Sequence, residues 1–220
     1  MLLPQKHRSS LATTKALLRR GFTLIELMAV ILIISILTVF LLPMVTDSLA
    51  AADVTACSSN MGKIYQSILQ FKTKYKRLPA QSGVRYFAEL YQKAAMENTV
   101  TNAKRLTCPA VDVGALTIGT LDWSEWWSDL DSIEGNYSSY AGRDSKRFGV
   151  RSLNGKEPLV ADDNDPEMNH PTTTNVLYGD GSVNAFELKL LEDDGTLLPD
   201  EILFVGPESQ VPDLTKLSLD

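Results

Sequence analysis

The sequence predicts an α+β fold: one long amino-terminal helix, membrane-spanning and then amphipathic, packed on a small antiparallel sheet. Three observations predict it. Leu27 to Val45 is nineteen residues without a charge. An apolar stripe at helical spacing then runs on to Leu78. Beyond Pro79 come short β-like runs separated by turn residues.

Only Ser35, Thr38 and Pro43 interrupt the uncharged run. At about 1.5 Å per residue it can cross a hydrocarbon core of roughly 30 Å as a helix. A secretory signal has a shorter apolar region, with small residues for cleavage at its far end. Here the candidate cleavage point, Gly21, precedes the run, so cutting before Phe22 leaves the helix on the mature chain. Glu26 sits at the head of the segment. A carboxylate there is costly, which marks it for function with a specific partner.

Charge sets the orientation. Residues 1–21 hold Lys6, Arg8, Lys15, Arg19 and Arg20 and no acid, a balance of +5. The positive-inside tendency keeps that end cytoplasmic and sends the rest outward. Of the chain's net −6, residues 22–220 therefore carry −11. So acidic a domain is a poor nucleic-acid binder, and no nucleic-acid partner is expected.

Arg20-Gly21-Phe22-Thr23-Leu24-Ile25-Glu26-Leu27 followed by an apolar helix resembles the type IV pilins and type II secretion pseudopilins. The resemblance implies that a prepilin peptidase cuts after Gly21 and that the new terminal residue, Phe22, is methylated. It implies that Glu26 neutralises the terminal amine of a neighbouring subunit during filament assembly. It gives Pro43 the place of a proline that bends or locally melts the helix, as expected of a ring that removes one backbone hydrogen bond. The implied partners are the peptidase, other pilin or pseudopilin subunits in homo- or hetero-oligomeric filaments, an assembly platform protein and inner-membrane lipid.

Past Pro43, Val54, Cys57, Met61, Ile64, Ile68, Phe71, Tyr75 and Leu78 recur in alternating steps of three and four, one stripe on a helix. Lys63, Gln66, Lys72, Lys74 and Lys76 fall off it. Pro79 ends the helix, because the residue before a proline resists α geometry. From Phe22 to Arg77 this predicts a helix about 80 Å long by rise per residue.

Residues 80–220 amount to about 140 residues, one domain by length. A short helix is expected near Tyr86–Met96 and an extended piece at Leu106–Ala110. Residues 111–136 read as irregular, and Tyr137–Tyr140, Pro158–Ala161, Asn175–Tyr178 and Ser182–Phe186 read as strands. Asp180-Gly181 supplies the tight turn joining the last two. The expected divisions are 1–21 (leader), 22–45 (transmembrane), 46–79 (amphipathic helix), 80–188 (α+β domain) and 189–220 (acidic extension).

Cys57 and Cys108 face the outer compartment under this topology, which favours a disulfide closing about 50 residues, worth roughly 4 kcal/mol by loop entropy. The alternative is two reduced, buried thiols. Two well-separated cysteines and a single histidine outside the leader, His170, argue against a metal site there.

His170, nine residues and Asp180-Gly181, together with Cys57-Ser-Ser-Asn60, Thr107-Cys108-Pro109 and Ser138-Ser-Tyr140, resemble a pilin-like subfamily of Planctomycetes and Verrucomicrobia named for its His-to-Asp-Gly spacing. That likeness bears on fold and system more than on molecular role. His170 and Asp180 could pair with each other, or Asp180 could cap its turn while His170 bonds a backbone carbonyl. Asp162, Asp163 and Asp165 are hard oxygen ligands suited to Ca²⁺, the candidate cofactor, and the resemblance to pseudopilins implies a calcium-stabilised loop near the carboxyl end. The alternative is a solvated turn.

Catalysis is not expected, since no nucleophile with a positioned base and no phosphate loop is apparent. Trp123 and Trp127, at helical spacing, are expected to pack a short helix on the sheet. With Trp126 they could instead form an aromatic surface for glycan or protein, which would suit a membrane-tethered binding module. The tail from Glu187 has nine acids and two lysines. It reads as loosely held apart from an edge strand at Ile202–Val205.

Overall fold

The computed structural model describes residues 22–164 and 168–220. The expected leader with Gly21 lies outside the described residues, as does Asp165. Helix α1 spans Leu24–Tyr75 and contains Pro43, through which the helix continues without a melted turn. It ends close to the proline stop predicted from sequence. Residues up to Val45 and residues from Thr46 form two units. In the first, α1 is long and apolar enough to cross a membrane. Its apolar side chains are exposed on every side, from Phe22 at 79% to Val30 at 44%.

In the second unit, α1 buries Cys57, Met61, Ile64, Ile68 and Phe71, the middle of the predicted stripe, while Val54 is half-buried and Tyr75 exposed at its ends. Helix α2 (Val84–Gln92) adds Tyr86, Phe87, Leu90 and Tyr91 to the same core, and α3 (Val100–Lys104) is capped by the Thr99 side chain. Five antiparallel strands follow: β1 (Tyr140–Arg143), β2 (Pro158–Asp162), β3 (Thr173–Tyr178), β4 (Val183–Glu187) and β5 (Leu217–Ser218), in the order β4-β3-β2-β1-β5. A six-residue helix α4 (Leu188–Asp193) follows β4. Where β1 passes α2, a Cβ on Gly142 would lie 1.9 Å from the Gly83 carbonyl oxygen, so only glycine permits this approach.

Side chains alternate across the sheet. Tyr140, Val160 and Leu177 point into the core shared with α1 and α2, whereas Ala141, Ala161, Val176 and Tyr178 point to the other face. A bulge between Pro158 and Val160 lets Leu159 and Val160 both join the first core. By the same alternation Asp162, next after Ala161, points towards α1.

Several sequence expectations are corrected. The strand expected at Tyr137–Tyr140 begins at Tyr140, because Gly135–Tyr137 closes a 3-10 turn and Ser138 Oγ takes the Tyr140 N–H. Leu106–Ala110, expected to be extended, instead turns and bends, with the Cys108 N–H going to Ser139 Oγ. Trp123 and Trp127 do not share a helix: the chain turns irregularly, burying Trp126 and Trp127 and leaving Trp123 38% exposed. The tail is not loosely held. Leu197, Leu203, Val211, Leu214 and Leu217 cover the second face of the sheet, and the edge strand is Leu217–Ser218 rather than Ile202–Val205. An apolar sheet face needs cover, and this scattered set of leucines supplies it despite the acidic composition around it.

Candidate functional site

Two places concentrate the residues singled out by sequence. The first is the start of α1. Thr23 is the N-cap and Glu26 the third helical residue, so each can satisfy a backbone N–H of the other. Glu26 Oε2 accepts the Thr23 N–H at 2.9 Å and the Thr23 hydroxyl at 2.8 Å, and Thr23 Oγ1 accepts the Glu26 N–H at 3.3 Å. Phe22 immediately precedes this cap and is exposed.

The second is a buried cluster beneath the sheet, where Cys57, Cys108, Asp162 and His170 bring their ligand atoms within 4.8 Å of one another. Each comes from a different segment. Cys57 lies on the buried stripe of α1, Cys108 on the loop after α3, Asp162 at the end of β2 and His170 on the approach to β3. Cys57 Sγ donates to Asp162 Oδ1 at 2.8 Å and meets the Tyr140 hydroxyl at 3.3 Å. His170 Nε2 lies 3.4 Å from Cys108 Sγ and 3.5 Å from Asp162 Oδ2. The Asn175 N–H donates to Asp162 Oδ2 at 2.7 Å, and the Asn169 amide reaches both Ser139 O and Asp162 Oδ1.

The electrostatics follow from burial. Loss of solvent raises Asp162 above the usual carboxylate range, against the Cys57 thiol, His170 and two further donors that favour its charged form. Burial likewise pushes the Cys57 thiol up. Cys108 goes the other way, to about 7, drawn down by its hydrogen bond with Cys57 and by His170. Burial alone would lower His170, but Cys108 and Asp162 raise it beyond that loss.

The disulfide expected between Cys57 and Cys108 is not formed: both are free, buried thiols. The two thiols are neighbours, but Cys57 is engaged by Asp162 and Tyr140, and Cys108 also by His170. Among the described residues, His170 neither bonds a carbonyl nor pairs with Asp180. Asp180 caps its own turn, accepting the Ser182 N–H at 2.9 Å and hydroxyl at 2.6 Å. Gly181, at φ 89°, lies under the Tyr65 ring of α1, whose hydroxyl donates to the Gly179 carbonyl at 3.1 Å. Asp162, bonded to Cys57, and the Gly179–Gly181 turn, set against Tyr65, are thus two separate fastenings of the sheet to one helix.

The expected Ca²⁺ loop loses its first member, because Asp162 points to the thiols. Asp163 instead lines a cavity of about 530 Å³ together with Asp112, Asn136 and Asn169. The loop's described members are not solvated either, since Asp162, Asp163 and Asn164 are all buried. Sequence reasoning missed Asp162 as a partner of the cysteines. Its signal was present: a carboxylate at an inward position of a strand needs a partner.

The cluster does not have the geometry of a Cys-His-Asp catalytic triad. A triad uses the two ring nitrogens for two different partners, whereas here Nε2 faces both Cys108 and Asp162. His170 Nδ1 is buried with no hydrogen-bond partner among the described residues.

Residues 18–42 match the prokaryotic N-terminal methylation motif. With the long apolar helix that follows, the chain is consistent with a type IV pilin-like protein, and the motif implies processing by a prepilin peptidase. No solved structure matches the chain.

Proposed function

We propose that this chain is a structural subunit of a type II secretion pseudopilus or type IV pilus-like filament. It is made as a prepilin, cut after Gly21, methylated at Phe22, and assembled through α1. The observation that carries this reading is the methylation motif of residues 18–42 running straight into an apolar helix that exposes leucine, isoleucine, valine and phenylalanine on every side. Such a surface suits lipid, and in a filament the same side chains pack against neighbouring copies.

The role is mechanical. Before assembly the chain is anchored in the cytoplasmic membrane, with the positive leader inside and the domain outside. On incorporation Glu26 meets the terminal amine of the neighbouring subunit, which checks register. Within the second unit, Cys57 and Tyr65 fasten α1 to the sheet, and no residue of this unit is assigned a catalytic task. A tethered binding module built on the tryptophans draws less support, because two of the three rings are spent on the core.

Chemical cross-linking of intact cells tests the reading. A ladder of multimers containing the processed chain is expected, and Glu26→Ala should abolish the ladder while leaving the chain in the membrane. A monomer alone, with wild-type sequence and active peptidase, would overturn it.

A further inference from the structure

We propose that Cys57, Cys108, Asp162 and His170 form a structural zinc site that joins α1 to the sheet and its loops. The donor set argues for this metal. Two sulfurs, one imidazole and one carboxylate are ligands that suit Zn²⁺ and not Ca²⁺. Tetrahedral zinc, with bonds of about 2.0–2.3 Å, places its ligand atoms about 3.3–3.8 Å apart. Nε2 of His170 stands at 3.4 Å from Cys108 Sγ and 3.5 Å from Asp162 Oδ2. One N–H cannot serve both acceptors well: 3.4 Å is ordinary for a contact with sulfur, but 3.5 Å is long for a hydrogen bond to a carboxylate oxygen. They are the separations expected of ligands turned towards a common centre. The shorter 2.8 Å contact of Cys57 with Asp162 is held by the thiol proton that zinc would displace.

Two of the four ligands, Asp162 and Cys57, have outer partners, while His170 Nδ1 has none among the described residues. Ligating groups need outer partners to fix their direction. Asp162 is held by the Asn175 N–H and the Asn169 amide, and Cys57 by the Tyr140 hydroxyl. All four ligands are buried. A buried carboxylate without a cation is costly. Zn²⁺ with two thiolates, one carboxylate and neutral His170 leaves a net charge of only −1. Four protein ligands close the coordination shell, which makes the site structural rather than catalytic. Asn169 separates it from the 530 Å³ cavity lined by Ser139, Asp163 and Met168, which offers a route of entry.

The site accounts for motif residues that the filament reading leaves without a task, and it stands independently of that reading. Cys57, Thr107-Cys108, Ser138-Ser139-Tyr140 and Asn169-His170 are far apart in sequence and meet here. Ser138 Oγ bonds Leu106 O, Ser139 Oγ takes the Cys108 N–H, and Asn60 reaches Thr107 O, so each segment braces a ligand or its neighbour.

The test uses the full chain purified in detergent micelles. Elemental analysis should find a single zinc ion per chain. Exchange for Co²⁺ should give the intense visible bands of a tetrahedral ion with thiolate charge transfer in the near ultraviolet. Cys108→Ser should weaken that charge transfer, and Tyr140→Phe, which keeps all four ligands, should weaken zinc about tenfold or more against a competing chelator. The cobalt spectrum of the unaltered chain is decisive even if a variant fails to fold. A chain without zinc that gives no thiolate–cobalt spectrum would overturn the proposal. So would an intact mass showing that Cys57 and Cys108 have lost their thiol hydrogens to a disulfide.

Discussion

The Glu26 carboxylate is tied to Thr23: one oxygen, Oε2, accepts both the Thr23 N–H and the Thr23 hydroxyl. Oε1 takes no hydrogen bond among the described residues. A single carboxylate can therefore cap its own helix with one oxygen and meet a neighbouring amine with the other. Glutamine also serves at this capping position, so Glu26→Gln removes the charge and keeps the cap. We expect Glu26→Gln to insert in the membrane yet to leave the cross-linked ladder as completely as Glu26→Ala. If Glu26→Gln assembles normally, the cap and not the charge is what assembly requires.

The turn at Asp180-Gly181 is fastened to α1 by shape. Gly181 has φ 89°, and a Cβ there would lie 2.5 Å from Tyr65 Cε1. Gly181→Ala should cost about 1–3 kcal/mol, through strain and displacement of the ring. Tyr65→Phe, which loses only the bond to Gly179 O, should cost about 1 kcal/mol. Thermal unfolding in detergent would rank them, and an unchanged midpoint for Gly181→Ala would contradict the fastening.

The tryptophans divide sharply. Trp127 is fully buried, donates to the Ala103 carbonyl at 3.0 Å and packs edge-on against Phe87. Trp127→Ala should cost about 3–5 kcal/mol, and Trp123→Ala should stay within about 0.5 kcal/mol. Equal losses in a denaturation series would show that Trp123 is also a core residue.

The carboxyl-terminal strand closes the second core. Leu217 is buried, and the backbone beside it pairs with Asp144 and Val84 through Lys216 O and Leu219 O. Leu217→Ala should destabilise by about 2–5 kcal/mol. A urea midpoint equal to that of the unaltered chain would mean that the tail does not contribute to the fold.

Stability should fall at alkaline pH. Burial, and then the neighbouring Asp213, push the Tyr178 hydroxyl up to about 12. The folded chain thus holds this proton more tightly than the unfolded chain, whose tyrosines titrate near 10. The contribution is complete below that range and is lost as pH rises through about 12. Urea midpoints at rising pH should decline over this window, and Tyr178→Phe should flatten part of the decline. A rise in stability over the same window would reverse the sign and refute the assignment.

Much of this architecture was legible in the sequence. The membrane segment, the 54–78 stripe and the Asp-Gly turn are local patterns, set by periodicity and by the backbone freedom of glycine. The stripe even named Cys57 as a core residue. What local pattern does not carry is the meeting of distant segments. Asp162 was grouped with Asp163 and Asp165 because they adjoin in sequence, but strand alternation sends Asp162 to the thiols and Asp163 to the cavity. Leu197, Leu203 and Leu214 were lost in an acidic background, since their purpose appears only when the far face of the sheet is known to be apolar. Glu26 was read for its partner in trans, although Thr23, three residues earlier, spelled a capping box.

The most direct test of the account is the intact mass and amino-terminal residue of the chain isolated from its native membranes. A chain beginning at methylated Phe22 is the predicted result, because the proposed filament role has the leader cut after Gly21 before assembly. A chain still beginning at Met1, with the peptidase present and active, would contradict the filament account.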